Sequence, residues 1–249
     1  MPAHAVEPRR LYRQIADRIG ARIRDGEYAP GERLPAEREL ARQLHVSRPS
    51  LREALIALEV QGYVEVRIGS GIYVRGRHER GGGARAATPS DTGPFELMRA
   101  RGLVETECAA LAARNATRAQ VASIRRALKE MAQANRGGRD PRLPDRLFHL
   151  RIAEATGNSA LVLMVQSLWD QRLGTLFSRL DHHFTRPATQ AEAIREHRRI
   201  VEAIAARDAH GARRAMRDHI EETTRRYSKG WVDGAAGPGT DATRVRRHG

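Results

Sequence analysis

Residues 34–74, LPAERELARQLHVSRPSLREALIALEVQGYVEVRIGSGIYV, decide the fold of the N-terminal part of the chain. The segment opens with a short helix, AERELARQLH, whose Leu40, Ala41 and Leu44 face inward. After His45, Ser47 is a good N-cap and Pro49 suits the first turn of a second helix, whose apolar residues recur three and four apart. Gly62 ends that helix, and VEVRIGSGIYV predicts a β-hairpin around a Gly-Ser-Gly turn.

The sequence before this segment adds one more helix. Leu11, Ile15, Ile19 and Ile23 recur every four residues and place one apolar stripe on it, and YAPGERLP then predicts a loop. Helix, helix, short turn, helix and hairpin, in that order, predict a winged helix-turn-helix at residues 9–75.

The remainder of the chain is predicted to be all-α. GRHERGGGARAATPSDTG, residues 76–93, has the composition of a linker, and the Gly/Ala-rich residues 231–249 predict a disordered tail. Between them, residues 94–230 predict an antiparallel helical bundle. Its six expected helices are Phe95–Asn115, Arg118–Asn135, Asp145–Thr156, Ser159–Leu180, Ala191–Arg207 and Ala209–Tyr227.

Composition excludes several classes of protein. No apolar stretch is long enough to span a membrane and the N-terminus lacks a secretory signal, so we expect a cytoplasmic protein. The single cysteine, Cys108, excludes an internal disulfide and is expected in the core. A net charge of +14 suggests an anionic partner. However, only two of the 44 basic residues are lysines, so biased genomic composition is an alternative cause.

Arg48 and Arg52 are the first candidates for reading DNA. They lie four residues apart, so they share one helical face opposite the leucines, and paired guanidiniums can bind guanine in a major groove. The alternative is a solvated charged face. Arg67 beside the glycine turn adds weight to DNA binding.

The same segment closely resembles the DNA-binding domain of the GntR family of bacterial transcription regulators. The resemblance implies that Arg38 anchors phosphates and that Arg48 and Arg52 read bases, with further contacts at Ser47 and Gly69. Pro49 and Ser50 lie at the groove-facing start of the same helix, so they are candidates to tune sequence preference. We also predict a homodimer on a short pseudo-palindromic double-stranded operator, because one reading head makes too few base contacts for high specificity and a two-fold protein matches a two-fold site. The DNA-contacting set is then Arg38, Ser47, Arg48, Pro49, Ser50, Arg52, Arg67 and Gly69.

Four residues of the bundle have the chemistry of a metal site. Asp145 and His149 are spaced i, i+4, while His197 and His219 share their helix faces with apolar residues and therefore point inward. Three inward histidines and an aspartate match a divalent-metal ligand set. Satisfied core histidines are the alternative.

These elements resemble the FCD effector domain of the FadR subgroup, carried by RARGLVETECAALAARNAT, LFHLRIAEATGNSALV and the EH and RDH elements. The resemblance implies a metal on Asp145, His149, His197 and His219, with Zn²⁺ first and Mn²⁺ or Ni²⁺ as alternatives. FELMRARGLVE and LWDQR are similar to regulators of hexuronate catabolism, which implies a sugar acid or other small carboxylate as effector.

Four further residues are effector-binding candidates. Arg101 and Arg172 can neutralise a carboxylate, or they can form salt bridges to Glu105 or Asp170 inside the bundle. His182 and His183 are candidates for the pocket rim or the surface.

The two halves together predict a ligand-responsive transcription regulator, a repressor by resemblance, with no catalytic residues. The alternative is a metal-dependent enzyme acting on a small hydroxy acid. Against it, the sequence has no HExxH, serine elbow or phosphate loop, and an enzyme leaves the DNA-reading segment unexplained. A constitutive DNA-architectural protein leaves the metal ligand set unexplained.

Overall fold

The computed structural model describes residues 11–67, 70–76, 92–184 and 187–229. Three helices and a hairpin form the N-terminal part: α1 (Leu11–Arg24), α2 (Glu37–Leu44), α3 (Arg48–Val60), β1 (Val64–Arg67) and β2 (Gly71–Val74). The C-terminal helices are α4 (Pro94–Asn115), α5 (Arg118–Arg136), α6 (Arg142–Glu154), α7 (Ser159–Arg172), α8 (Thr175–Phe184), α9 (Pro187–Ala205) and α10 (Ala209–Lys229). This order confirms the predicted winged helix-turn-helix followed by a helical bundle.

A tight turn sets α3 against α2. His45 ends α2 with a left-handed φ of 54°, and Ser47 caps α3 by accepting a hydrogen bond from the Ser50 N–H at 3.2 Å. Helix α1 packs on α3. The leucines of α3 and the three isoleucines of α1 that were predicted to face inward are buried. Leu11, the first residue of the predicted apolar stripe on α1, is half-exposed. Their burial anchors α3 in the core of this domain.

The wing is an antiparallel hairpin that pairs Val64 with Val74 and Arg67 with Gly71. Part of the expected YAPGERLP loop joins it, because the Leu34 N–H donates to the Ile72 carbonyl at 2.8 Å. The extra pairing holds the wing against the segment that leads into α2. The linker and tail predictions rest largely on residues outside the described ranges, so the proposed domain limits stay predictions.

The bundle is centred on α4, which packs against α6, α7, α9 and α10. Phe148 and Trp169 are among its largest buried side chains. Cys108 is 1% exposed, which confirms its predicted place in the core, and burial raises the pKa of its thiol to about 12. Within the described ranges, no helix combines the length and apolar content needed to cross a membrane.

The prediction of a single helix at Ser159–Leu180 is wrong. The chain forms α7 and α8 instead, separated at Leu173 and Gly174, where the Gly174 N–H donates to the Gln171 carbonyl, three residues back. Glycine has a low helix propensity, and an added Cβ would meet the Gln171 carbonyl oxygen at 3.0 Å. The break separates α8 from α7, and α8 packs against α3.

Candidate functional site

The start of α3 forms an exposed surface. Ser47, Arg48 and Pro49 are exposed, Ser50 is half-buried, and the hydroxyls of Ser47 and Ser50 are 2.8 Å apart. On the preceding helix, Arg38 is also exposed. The five residues are therefore accessible, as DNA contact requires.

The prediction that Arg48 and Arg52 are both exposed on one face of α3 is wrong for Arg52. Its Nε donates to Glu37 Oε2 at 2.8 Å, and Arg48 Nε donates to Glu37 Oε1 at 2.6 Å. The Arg48 side chain is 43% exposed, whereas that of Arg52 is 5% exposed. The reason is Glu37, whose buried carboxylate draws Arg52 inward. Sequence reasoning missed Glu37, although its spacing to Leu40 and Leu44 marks the inward face of α2.

Arg67 lies at the exposed end of β1. Its guanidinium pairs with Glu65 at 3.1 Å and lies 4.6 Å from the centre of the Tyr73 ring. Gly69 is outside the described residues. The wing therefore presents a positive side chain beside its turn, and its role in DNA contact stays a prediction.

Three histidines meet inside the bundle. His149 on α6, His197 on α9 and His219 on α10 are 2%, 1% and 5% exposed, as the inward positions predicted. Each Nδ1 faces an acceptor: His197 lies 2.7 Å from the Ala193 carbonyl, His219 lies 2.8 Å from Glu196 Oε2, and His149 contacts Glu105. Protonation at Nδ1 leaves the Nε2 lone pairs available for metal ligation.

Nitrogen atoms of the three histidines lie close together, and Asp145 approaches two of them. One nitrogen from each histidine lies within 4.8 Å of the others, and the Nε2 atoms of His149 and His197 are 3.2 Å apart. Asp145 Oδ1 lies 3.1 Å from His197 Nε2 and 3.6 Å from His149 Nε2. This oxygen is buried and makes no well-aligned hydrogen bond within the described part of the chain. The arrangement fits a divalent cation with nitrogen and oxygen ligands.

The electrostatics of this cluster favour a positive charge at its centre. Burial acts to raise the pKa of Asp145, but the neighbouring imidazoles of His149 and His197 outweigh it and hold the pKa well below its usual value. Burial and the charge of His197 lower the pKa of His219 to about 3, so its imidazole is neutral. Neutral imidazoles and an ionised carboxylate are the forms that bind metal.

A cavity of about 510 Å³ opens onto Asp145, His197 and His219. Arginines outnumber aspartates among its lining residues by five to three. The charged lining residues are Arg101, Arg139, Arg142, Arg172, Arg226, Asp140, Asp145 and Asp181, and uncharged polar ones are Asn135, Ser178, Thr189, Gln190 and Thr223. The cavity is suited to a small, polar anion.

Both predicted effector arginines line this cavity, and both are also paired. Arg101 Nε donates to Glu105 at 2.7 Å, so the predicted intrahelical salt bridge is present. Arg172 pairs with Asp181 at 2.7 Å, not with Asp170, which binds Arg146 instead. Sequence reasoning missed Asp181 because it lies beyond the unpredicted break at Gly174.

The two neighbouring histidines of α8 separate. His182 is exposed and lines the cavity, as a rim residue would. His183 is not at the rim: its Nε2 lies 2.6 Å from Glu59 Oε2 on α3. The reason is helical geometry, because adjacent residues point about 100° apart.

Two family models match the chain. The model described as bacterial regulatory proteins, gntR family, matches residues 11–74, and the FCD domain model matches residues 96–222. The two matches cover the DNA-reading part and the bundle that holds the histidines.

Several known regulators are similar to the chain. The Exu regulon transcriptional regulator of Escherichia coli K12 is 40% identical over 220 residues, covering 87% of this chain and 84% of the relative. The Uxu operon transcriptional regulator of the same strain is 40% identical over 222 residues, covering 84% of each chain. A solved structure described as Streptococcus agalactiae GntR is 27% identical, covers 86% of this chain and 99% of its own, and has a TM-score of 0.45. The two Escherichia coli relatives are transcription regulators, which confirms the interpretation as a regulator over that as a metalloenzyme.

Proposed function

Because the chain belongs to the GntR family of bacterial regulatory proteins and carries an FCD domain, we propose that this DNA-binding transcription regulator represses an operon of sugar-acid catabolism. A hexuronate or related acid binds in the bundle cavity and changes the affinity for the operator. The similarity to the Exu regulon and Uxu operon regulators of Escherichia coli supports this class of acid.

The single observation that carries the proposal is the close approach of His149, His197 and His219 inside the bundle, with the Asp145 carboxylate beside His149 and His197. With each Nδ1 facing an acceptor, the Nε2 lone pairs of His149 and His197 face each other and the Asp145 carboxylate, and a cation or a proton between them relieves their repulsion. His149 carries such a proton more readily than usual. Burial lowers its pKa, but the Glu105 charge and Asp145 outweigh burial and raise it.

We infer that Asp145, His149, His197 and His219 hold one divalent ion per chain. Imidazole suits Zn²⁺, Ni²⁺ and other transition ions, and the carboxylate oxygen also suits Mn²⁺. Zn²⁺ is the first choice, with Mn²⁺ and Ni²⁺ as alternatives. The ion supplies positive charge and open coordination positions for a carboxylate and an adjacent hydroxyl.

The residues of the cavity supply the rest of the recognition. Arg101 and Arg172 attract the carboxylate, and Arg142 lies between Asp140 and Ser178 in the same wall. The uncharged polar side chains Asn135 and Thr223 suit the hydroxyls of a sugar acid. The five arginines of the lining, together with these polar side chains, favour an anionic polyhydroxy acid.

A homodimer is part of the proposal, because a two-fold protein matches a two-fold operator. Leu103 on α4 is 76% exposed, and Leu163 and Met164 on α7 are 66% and 50% exposed. Helices α4 and α7 pack together, so the exposed apolar side chains lie on neighbouring helices. We expect this surface to contact a second copy of the chain, and Leu163→Glu to weaken the dimer in analytical ultracentrifugation.

The test is an operator-binding measurement by fluorescence anisotropy on promoter DNA next to the chain's own gene. Glucuronate and galacturonate are added to the metal-loaded protein, with lactate and gluconate as comparison acids. A change in operator affinity with a hexuronate supports the proposal. Operator binding that no acid alters would contradict it.

A further inference from the structure

Helix α8 lies between the cavity and the DNA-reading part of the chain. Ser178, Asp181 and His182 line the cavity. Arg179 and His183 instead approach Glu59 on α3. One short helix therefore contacts both the proposed effector site and the helix predicted to read DNA.

Glu59 receives these contacts in a buried position. It is 3% exposed and lies near the end of α3. His183 Nε2 donates to its Oε2 at 2.6 Å, and Arg179 Nε lies 3.6 Å from the same oxygen. The other oxygen, Oε1, accepts the N–H of Val66 on β1 at 3.0 Å. One carboxylate thus joins α8, α3 and the first strand of the wing.

On its cavity side, α8 is bound by arginines that can also bind an acid. Arg172 donates to both oxygens of Asp181, at 2.7 and 3.0 Å, and the Tyr227 hydroxyl donates to Asp181 at 2.6 Å. Arg142 donates to the Ser178 hydroxyl at 2.9 Å. Both arginines line the cavity, so a bound carboxylate competes with α8 for them. Binding in the cavity therefore alters what holds α8.

A second contact joins α3 to the bundle, but it has no connection to the cavity. Glu53 on α3 accepts the N–H groups of Phe95 and Glu96 at 2.7 and 3.2 Å, at the start of α4. Neither Phe95 nor Glu96 lines the cavity. This contact fixes α3 to the bundle, whereas the Glu59 contact also reaches the cavity through α8.

We propose that the Glu59–His183 contact transmits effector binding from the cavity to α3 and the wing. The inference rests on the proposed function, because it needs an acid in that cavity. Allosteric coupling is usually about 5- to 150-fold in affinity and acts equally in both directions. Removing the link is expected to leave acid binding intact while the effect of the acid on operator affinity disappears.

The test uses the full-length, metal-loaded protein with His183→Ala, and with Arg179→Ala added because Arg179 approaches the same carboxylate. His210→Ala, an exposed histidine on α10, is the matched control, and His183→Gln restores a side-chain donor. Acid affinity is measured by calorimetry with glucuronate and galacturonate, and operator affinity is measured with and without the acid that binds. Circular dichroism checks that each variant is folded.

The expected result is an acid affinity within about twofold of the parent and a coupling factor reduced at least fivefold in the double variant, with recovery in His183→Gln. An unchanged coupling factor in the folded double variant would overturn the proposal. So would loss of acid binding itself, because His183 would then act in the cavity.

A ligand-free measurement separates this inference from the proposed function. Hydrogen exchange of the β1 amides is compared in parent, double variant and His210→Ala without any acid. Faster exchange at Val66 in the double variant, but not in the parent or in His210→Ala, supports the link. This holds even if no acid binds the parent, because the absence of acid binding would count against the proposed function only. Identical exchange in all three proteins would overturn the link.

Discussion

Arg52 Nε lies 2.8 Å from Glu37 Oε2, and this buried ion pair joins α3 to α2. Arg48 contacts the other carboxylate oxygen from a more exposed position. Glu37 therefore fixes the orientation of two arginines that sequence reasoning treats as equivalent. Their substitutions should have different effects.

Arg48→Ala should mainly affect DNA recognition. Its exposed guanidinium is available to a base edge, so its loss is expected to cost about 1–3 kcal/mol of specific binding. Arg38→Ala, which removes an exposed charge on α2, should weaken binding to all sequences and flatten the salt dependence. Fluorescence anisotropy on operator and random DNA at several salt concentrations measures both. Parent-like operator binding by Arg48→Ala would refute the assignment of α3.

Arg52→Ala should mainly affect stability. Breaking a buried ion pair costs about 3–5 kcal/mol, and the lower end is expected because Arg48 still pairs with Glu37. Thermal unfolding monitored by circular dichroism measures the loss. The matched control is Arg42→Ala, which removes a solvent-exposed pair with Glu39 and should change the unfolding temperature much less than Arg52→Ala does. Equal unfolding temperatures for the two variants would contradict a structural role for Arg52.

Glu53 should make stability depend on pH. Burial raises the pKa of its carboxyl, against the opposing effects of the Phe95 and Glu96 N–H groups and Arg99. A folded-state pKa above the unfolded value means that the contribution of Glu53 is present at low pH and lost as pH rises through the folded pKa. Glu53→Gln should therefore gain stability over the parent as pH rises from about 4 to 8.

Melting temperatures across that pH range measure the effect of Glu53→Gln. The difference between variant and parent isolates Glu53 from other titrating groups, and about 1 kcal/mol corresponds to about 2–4 °C in a chain of this size. A difference that stays constant with pH would contradict the raised pKa.

The histidines, and the carboxylates that contact their Nδ1 atoms, should determine metal affinity. His197→Ala is expected to abolish binding of one ion per chain. Glu196→Gln should weaken binding about 10- to 100-fold, because Glu196 holds Nδ1 of His219 at 2.8 Å. Elemental analysis and competition with a chelator measure occupancy and affinity, with His210→Ala as the exposed control. Full metal content in His197→Ala would contradict the ligand set.

Periodicity predicted the fold well because burial in helices follows a short repeat. Leu51, Leu55, His197 and His219 all point inward as their spacing indicates. The break at Gly174 was missed because the apolar pattern continues across it. A single glycine costs a helix only about 1 kcal/mol, so the composition around it does not require a break.

Contacts between distant segments account for most of what sequence reasoning missed at the site. Glu105 and Glu196 orient histidines from other helices, and His183 meets Glu59 across 124 residues of sequence. Helical periodicity assigns a face to each of these residues but no partner. The metal ligands could be predicted from the sequence because His and Asp are unusual at inward positions. An inward Glu or Arg, in contrast, can pair with many different partners, so its partner could not be predicted.

The central claim is that a sugar acid binds at a metal held in the bundle cavity. Calorimetric titration of glucuronate, galacturonate, fructuronate, gluconate, lactate and a long-chain acyl thioester tests it on metal-loaded, chelator-treated and His197→Ala protein. The account predicts that a hexuronate binds the metal-loaded parent and that binding is lost in the other two proteins. Binding of the acyl thioester alone, or hexuronate binding that survives both chelation and His197→Ala, would contradict it.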